Sequence, residues 1–280
     1  MRIFERQIMS TRLTRITPLF SALILVGFGA LAGPSRAQES HEARTLTRKL
    51  EKQKKEYAEV EKKAKLAFAR YFDRVSEQVR RTPGLAPELK ASKLRKLAEE
   101  KADYQAQGTM PESSEMLEEL FSYEDDLHRA RLPMAKTFDQ LMQLAINQRN
   151  NAMLQQLTKE KEALDEALPG RQFFRAGTNW TGSRYTAKST MRTRMRIANY
   201  EANSFRGHVW QGDPPEDQFV VEGTINGNFV NFQIVEMVRG AKRMFRYKGY
   251  VLQRRMVLKL FGIATDGKPI ERDWIQLSLK

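Results

Sequence analysis

The chain has 280 residues, 48 Lys and Arg against 34 Asp and Glu, a formal net charge of +14 and no cysteine. Without a thiol there is no disulfide framework, no cysteine nucleophile, no thiolate zinc site and no lipid-bearing cysteine. The charge is divided unevenly: residues 38–170 carry 24 basic against 24 acidic side chains, residues 171–280 carry 19 against 9. An asymmetry of this kind concerns partners rather than fold.

Residues 1–37 hold Arg2, Arg6, Arg12 and Arg15, then an apolar run from Leu19 to Ala32, then Ser35-Arg36-Ala37. A basic start, a short apolar stretch and a small-x-small site predict a signal peptide cleaved after Ala37, and hence export to the periplasm, cell envelope or beyond. The apolar run falls short of the ~20 residues that a spanning helix needs.

Residues 38–170 read as a helical bundle or coiled-coil-like arm. Ser40 is the expected N-cap of a long helix. Its apolar stripe runs through Leu46, Leu50, Tyr57, Val60, Ala64, Tyr71, Val75 and Val79, and Phe68 and Phe72 widen it. The first half is expected to be exposed and the second half bundled. Thr82-Pro83-Gly84 ends this helix; a second starts at Pro87 and stops at Gly108, and a third carries Met116, Leu117, Leu120, Phe121 and Leu127. Pro133 is expected to end or kink it. A last helix runs to about Leu168, with a loop at Asn147–Asn151 if it is really two, and Pro169-Gly170 closes the region.

Residues 171–280 alternate apolar and polar in eight stretches: 178–185, 190–198, 204–210, 218–225, 228–236, 243–252, 256–263 and 273–279. Four of them carry an apolar residue, any residue, then glycine: Phe205-Arg206-Gly207, Val221-Glu222-Gly223, Tyr247-Lys248-Gly249 and Leu260-Phe261-Gly262. Glycine there suits the sharp coiling of a closed sheet. Asn226-Gly227 and Asp266-Gly267 mark hairpins. Every gap is too short for a crossover helix, so the strands form an antiparallel up-and-down β-barrel. The inward set is Met191, Met195, Ile197, Phe205, Val209, Phe219, Val221, Ile225, Phe232, Ile234, Phe245, Tyr247, Val251, Leu258, Leu260, Ile275 and Leu277. The fold class is thus α+β with the two kinds of structure segregated, and residues 171–280 are expected to fold without the arm.

Trp180 followed by Gly182-Ser183, and Asp273-Trp274-Ile275-Gln276-Leu277 near the end, resemble the first and last strands of the small avidin and lipocalin barrels. The resemblance covers the last hundred or so residues and implies the barrel's shape. It brings no ligand residues, because only Trp180, Trp210 and Trp274 are present.

The sharpest local feature is Met191-Arg192-Thr193-Arg194-Met195-Arg196-Ile197. Alternation puts Arg192, Arg194 and Arg196 on the outer face, where Arg206 and His208 of the next strand extend it. This is the candidate anion-binding face, since guanidinium groups pair bidentately with carboxylate, sulfate and phosphate. A second basic group comprises Lys242, Arg243, Arg246, Lys248, Arg254 and Arg255. Catalytic signals are poor. His41, His128 and His208 are scattered and read as surface residues; Glu124, Asp125 and Asp126 diverge around a helix; Ser183 lacks a nucleophile elbow; Glu222 and Glu236 have no glycosidase arrangement.

The sequence therefore points to an exported, non-enzymatic binding or scaffolding protein without cofactor or metal. Its expected partner is an acidic polysaccharide or an anionic envelope surface rather than nucleic acid, with self-association through the arm. The alternative is a carrier of a small apolar ligand inside the barrel.

Overall fold

The computed structural model describes residues 40–280 except 167, 169–170, 187–188, 215, 240–244 and 264–268. The expected leader and its cleavage after Ala37, the Pro169-Gly170 break, Lys242, Arg243 and the Asp266-Gly267 bend lie outside the described residues. Residues 39–280 belong to a single compact unit.

Among the described residues, four α-helices precede the strands: α1 (His41–Arg81), α2 (Pro87–Gln107), α3 (Leu117–Asn147) and α4 (Asn151–Glu166). The Ser40 hydroxyl accepts the Ala43 N–H at 3.2 Å and so caps α1. Pro87 opens α2, and Gly108 ends it with φ 69°, a conformation in which glycine has no Cβ penalty. Residues 148–150 do separate two helices. Pro133, by contrast, neither ends α3 nor divides it. Pro133 and Arg129 lie on the exposed side of the helix, where water can take the hydrogen bond that the ring removes.

The first half of α1 is not exposed. Leu50 is buried with Met134, Phe138 and Leu141 of α3 and Leu157 of α4, while Phe68, Phe72, Val75 and Val79 pack with Leu97 and Tyr104 of α2 and Leu117, Leu120 and Tyr123 of α3. Val60, on the expected stripe, is 37% exposed. A stripe spaced for one straight seam drifts around a helix of this length, and the bundle takes up Phe68 and Phe72 instead.

Eight strands follow: β1 (Asn179–Tyr185), β2 (Thr190–Glu201), β3 (Ser204–Gln211), β4 (Asp217–Asn226), β5 (Phe229–Arg239), β6 (Phe245–Leu252), β7 (Arg255–Ile263) and β8 (Pro269–Leu279). Each pairs antiparallel with the next, and β1 pairs with β8, so the sheet is a closed up-and-down barrel. All the expected inward residues except Met191 lie in or against one core, joined by Trp180, Val230, Met256 and Phe174. Phe174, from the segment before β1, stops that end of the barrel against Trp180, Tyr200 and Phe205. The β4–β5 turn is shifted by one from expectation: Asn226 pairs with Phe229, leaving Gly227-Asn228 as the central residues.

The glycine beat has a direct cause. A Cβ at Gly207, Gly223 or Gly249 would collide with the carbonyl oxygen of Arg196, Asn231 or Val257 on the neighbouring strand, and one at Gly182 with that of Gln276. The strands approach this closely only where one of them carries no side chain.

Strands β6 and β7 are buried on both faces where they approach their shared turn. Tyr250, Leu252 and Val257 point outward but belong to the same cluster as Phe68, Phe72 and Leu120 of the helices. The helices and the barrel therefore share a core, with α3 laid along the outside of the cylinder.

Candidate functional site

The alternation of β2 is realised as expected: Thr193, Met195 and Ile197 are buried, Arg192 and Arg196 exposed, and Arg194 half-exposed. The register then builds the surface. Arg196 lies opposite His208 and Arg194 opposite Trp210 on β3; Ser183, Thr181 and Asn179 of β1 face Arg192, Arg194 and Arg196. A bulge between Ile197 and Asn199 sets Arg206 opposite Asn199, out of line with the other three.

The five residues differ electrostatically. Arg194 is ion-paired with Glu216 and lies 5.3 Å from the centre of the Trp210 ring. Arg206 pairs with Glu222 at 3.1 Å and lies 3.7 Å from Glu236. His208 is half-buried beside Trp210. Among the described residues no ion pair involves Arg192 or Arg196. These two guanidinium groups, four residues and about 13 Å apart along the strand, are the cations that this face presents to solvent. Hydroxyl and amide side chains flank them.

The second basic group is not one surface. Arg255 is buried: its guanidinium donates to the carbonyl oxygens of Pro111 and, at 2.5 Å, Met110, which straps the loop after α2 onto the β6–β7 end. Arg246 and Lys248 remain on the outer face of β6.

Two polar arrangements were not foreseen. Inside the barrel, Arg184 is 6% exposed and donates to Asp273 at 2.9 and 2.5 Å and to Gln211 at 3.0 Å, with Gln211 in turn 3.4 Å from the Tyr247 hydroxyl. The signal was present, since Arg184 shares a strand face with Trp180 and Gly182. The other lies along α3, where Phe121, Glu124, Asp125, His128 and Arg131 form one helical face against the barrel. Asn228 in the β4–β5 turn donates to Glu124 at 2.9 Å and accepts from Arg131 at 2.8 Å. Tyr250 donates to Asp125 at 2.9 Å, and His128 stacks on Phe229 at 4.5 Å, so His128 is a seam residue and not a surface one. Phe121 packs edge-on against Tyr250 and Trp274, each at 5.4 Å.

Burial raises the Glu124 carboxyl to about 7, against the opposing pull of the Asn228 hydrogen bond and the Arg131 charge. Burial, helped by Arg131, lowers His128 to about 4. Both groups are occupied in the seam. Glu124, Asp125 and Asp126 do diverge: the first reaches Asn228, the second Tyr250 and Arg129, and the third is exposed.

No protein-family model and no curated protein matches this chain.

Proposed function

We propose that this is an exported, non-enzymatic binding protein of the cell envelope that holds an acidic polysaccharide on the outer face of β2 and β3. The observation that carries the reading is the pair Arg192 and Arg196, exposed on one strand face without a carboxylate partner among the described residues, while Arg194 and Arg206 are neutralised locally. Arginine presents a planar fork to carboxylate or sulfate, and Asn179, Thr181 and Ser183 offer hydrogen bonds to sugar hydroxyls beside it. A polysaccharide fits this neighbourhood better than a lipid surface, since the β1 side chains that flank the arginines are the polar Asn179, Thr181 and Ser183. Export rests on the pattern of residues 1–37.

The interior supports a ligand outside the barrel rather than the apolar-ligand carrier. Trp180, Phe219, Phe232 and Tyr247 are fully buried there, with Phe232 stacked on Tyr247 at 4.6 Å. The avidin and lipocalin likeness is carried forward as a likeness of architecture. In this reading Trp180 is a core residue at the stopped end, and Trp274 faces the helical arm.

The test is retention on immobilised heparin, with binding to phosphatidylglycerol vesicles measured in parallel. The variant Arg192→Gln/Arg196→Gln is expected to elute at lower salt than the parent, because its attraction to the polyanion is a screened charge effect. Unchanged elution, or binding to vesicles without binding to heparin, would overturn the proposal.

A further inference from the structure

Histidine is the side chain whose charge ordinarily changes between about pH 5 and 8, and His208 stands in the middle of the β2–β3 face. The register sets it directly opposite Arg196 on β2 and opposite Val220 on β4. Side chains so placed have their Cβ atoms about 5 Å apart. The residue is half-buried, and its Nδ1 is enclosed with no hydrogen-bond partner among the described residues. No carboxylate of those residues is paired with it. No protein group therefore commits the ring to one protonation state.

The charges around it come from four strands. On β2, Arg196 has no partner among the described residues and Arg194 is ion-paired with Glu216. On β3 itself, Arg206 is paired with Glu222 of β4 and approaches Glu236 of β5 at 3.7 Å. Val220, between Gln218 and Glu222 on β4, is apolar and buried. Each of these carboxylates is thus engaged with Arg194 or Arg206, and the charge directly across from His208 is that of Arg196. Like charges opposite each other on an antiparallel pair repel. An anionic group laid across a protonated His208 and Arg196 would turn that repulsion into a shared contact. The Trp210 ring, 5.8 Å from His208, lies within the range over which an aromatic ring attracts a cation.

From this we infer that His208 takes up a proton from solvent together with the polymer, so that the β2–β3 face holds an acidic polysaccharide more tightly in mild acid than in mild alkali. The inference rests on the reading of this face as the polymer contact and supplies its regulation. Arg192 and Arg196 provide the attraction present at every pH; His208 adds a third cation in the acidic range. Linkage works in both directions. If the proton tightens binding by some factor, bound polymer favours the proton by the same factor.

The experiment uses the full chain and a short heparin oligosaccharide, whose sulfates stay ionised throughout. Affinity is measured by calorimetric titration at about pH 5.5 and about pH 8 and equal ionic strength. The parent is expected to bind about threefold tighter at the lower pH, the size of one exposed charge contact. His208→Gln is expected to match the parent in alkali and to lose the gain in acid. His208→Lys, charged throughout, is expected to bind tightly at both. Glu124 also changes charge in this range, near 7, but it does so in the α3 seam and acts on parent and variants alike. Ring-proton NMR gives a second reading: the His208 signal, identified by its absence from His208→Gln, should titrate at higher pH with the oligosaccharide bound than without it. Equal affinities of parent and His208→Gln at both pH values, or a His208 titration that the oligosaccharide leaves unmoved, overturn the inference and leave the arginine face standing. An equal loss at both pH values in His208→Gln would make the residue a matter of shape rather than charge, and overturns it too. If Arg192→Gln/Arg196→Gln binds as the parent does, the reading of the face itself fails and takes this inference with it.

Discussion

Strand pairs β2–β3 and β6–β7 have the same antiparallel geometry in the same cylinder, yet the outer surface of the first meets water while that of the second is covered around Tyr250, Leu252 and Val257. On β2, arginines alternate with core residues because one face meets water. In Tyr250-Val251-Leu252 and Met256-Val257-Leu258 the alternation is lost, because both faces are buried. A strand covered on both sides reads as a continuous apolar run, whichever way its neighbours run. The break in alternation therefore marks the place where the rest of the chain docks.

The strongest way to break this comparison is to remove the cover. Residues 171–280 alone keep every strand between two partners, so a β-type circular dichroism spectrum should persist. Tyr250, Leu252 and Val257 would then be bare, at a cost on the order of 5 kcal/mol. The fragment should unfold at much lower urea than the full chain and self-associate in sedimentation. A monomeric fragment with the midpoint of the full chain would show that the seam contributes nothing.

Smaller effects sharpen the contrast. Leu252→Ala should lose about 2–5 kcal/mol in urea unfolding, as expected for a truncation that leaves a cavity in a packed seam. The seam should also respond to pH in two opposed ways. Glu124, raised by folding from 4.5 to about 7, contributes stability that is complete below pH 4.5 and is lost as pH rises through 7, at roughly 1 kcal/mol per pH unit. His128, lowered from 6.5 to about 4, contributes stability that is present above 6.5 and is lost as pH falls through 4. Because part of its ring remains in water, its total contribution is smaller than that of a fully buried imidazole. The parent should thus change little between pH 5 and 6.5. Glu124→Gln should make stability rise with pH across that window, and His128→Phe, which keeps the stack on Phe229, should make it fall. Parallel curves for all three proteins would refute the account. The smallest effect belongs to the open face: Arg192→Gln/Arg196→Gln should shift the unfolding free energy by no more than about 0.5 kcal/mol. Destabilisation well beyond that would mean that these side chains hold the barrel rather than decorate it.

Much of the barrel was legible because its periodicity has one simple cause. Where one face is wet, register follows from pattern, and Met195, Ile197, Phe205 and Val209 could be assigned inward from spacing alone. The seam was harder, since Glu124, His128 and Arg131 look like an ordinary solvated helix face until Asn228 is brought against them. Arg255 was misread for a related reason: two backbone carbonyls from a distant loop make its burial tolerable, and no sequence pattern announces such partners. The candidate site was legible as a row of arginines, but not the carboxylates that single out Arg192 and Arg196. Glu216 and Glu222 become their neighbours' partners only through the β3–β4 hairpin.

Barrel closure has a kinetic consequence. The ladder that joins β1 to β8 pairs Trp180 with Leu279, so its two halves come from opposite ends of the barrel sequence. No local turn can form it, and the entropy of closing so long a loop must be met before the contact returns anything. Until β8 arrives, β1 and β7 each present an unpaired edge, and Trp274 is absent from its place against Phe121. A nascent or refolding chain is therefore open to edge-to-edge association right up to its last strand. Dilution during refolding should raise the yield of monomer more than any change to the hairpins.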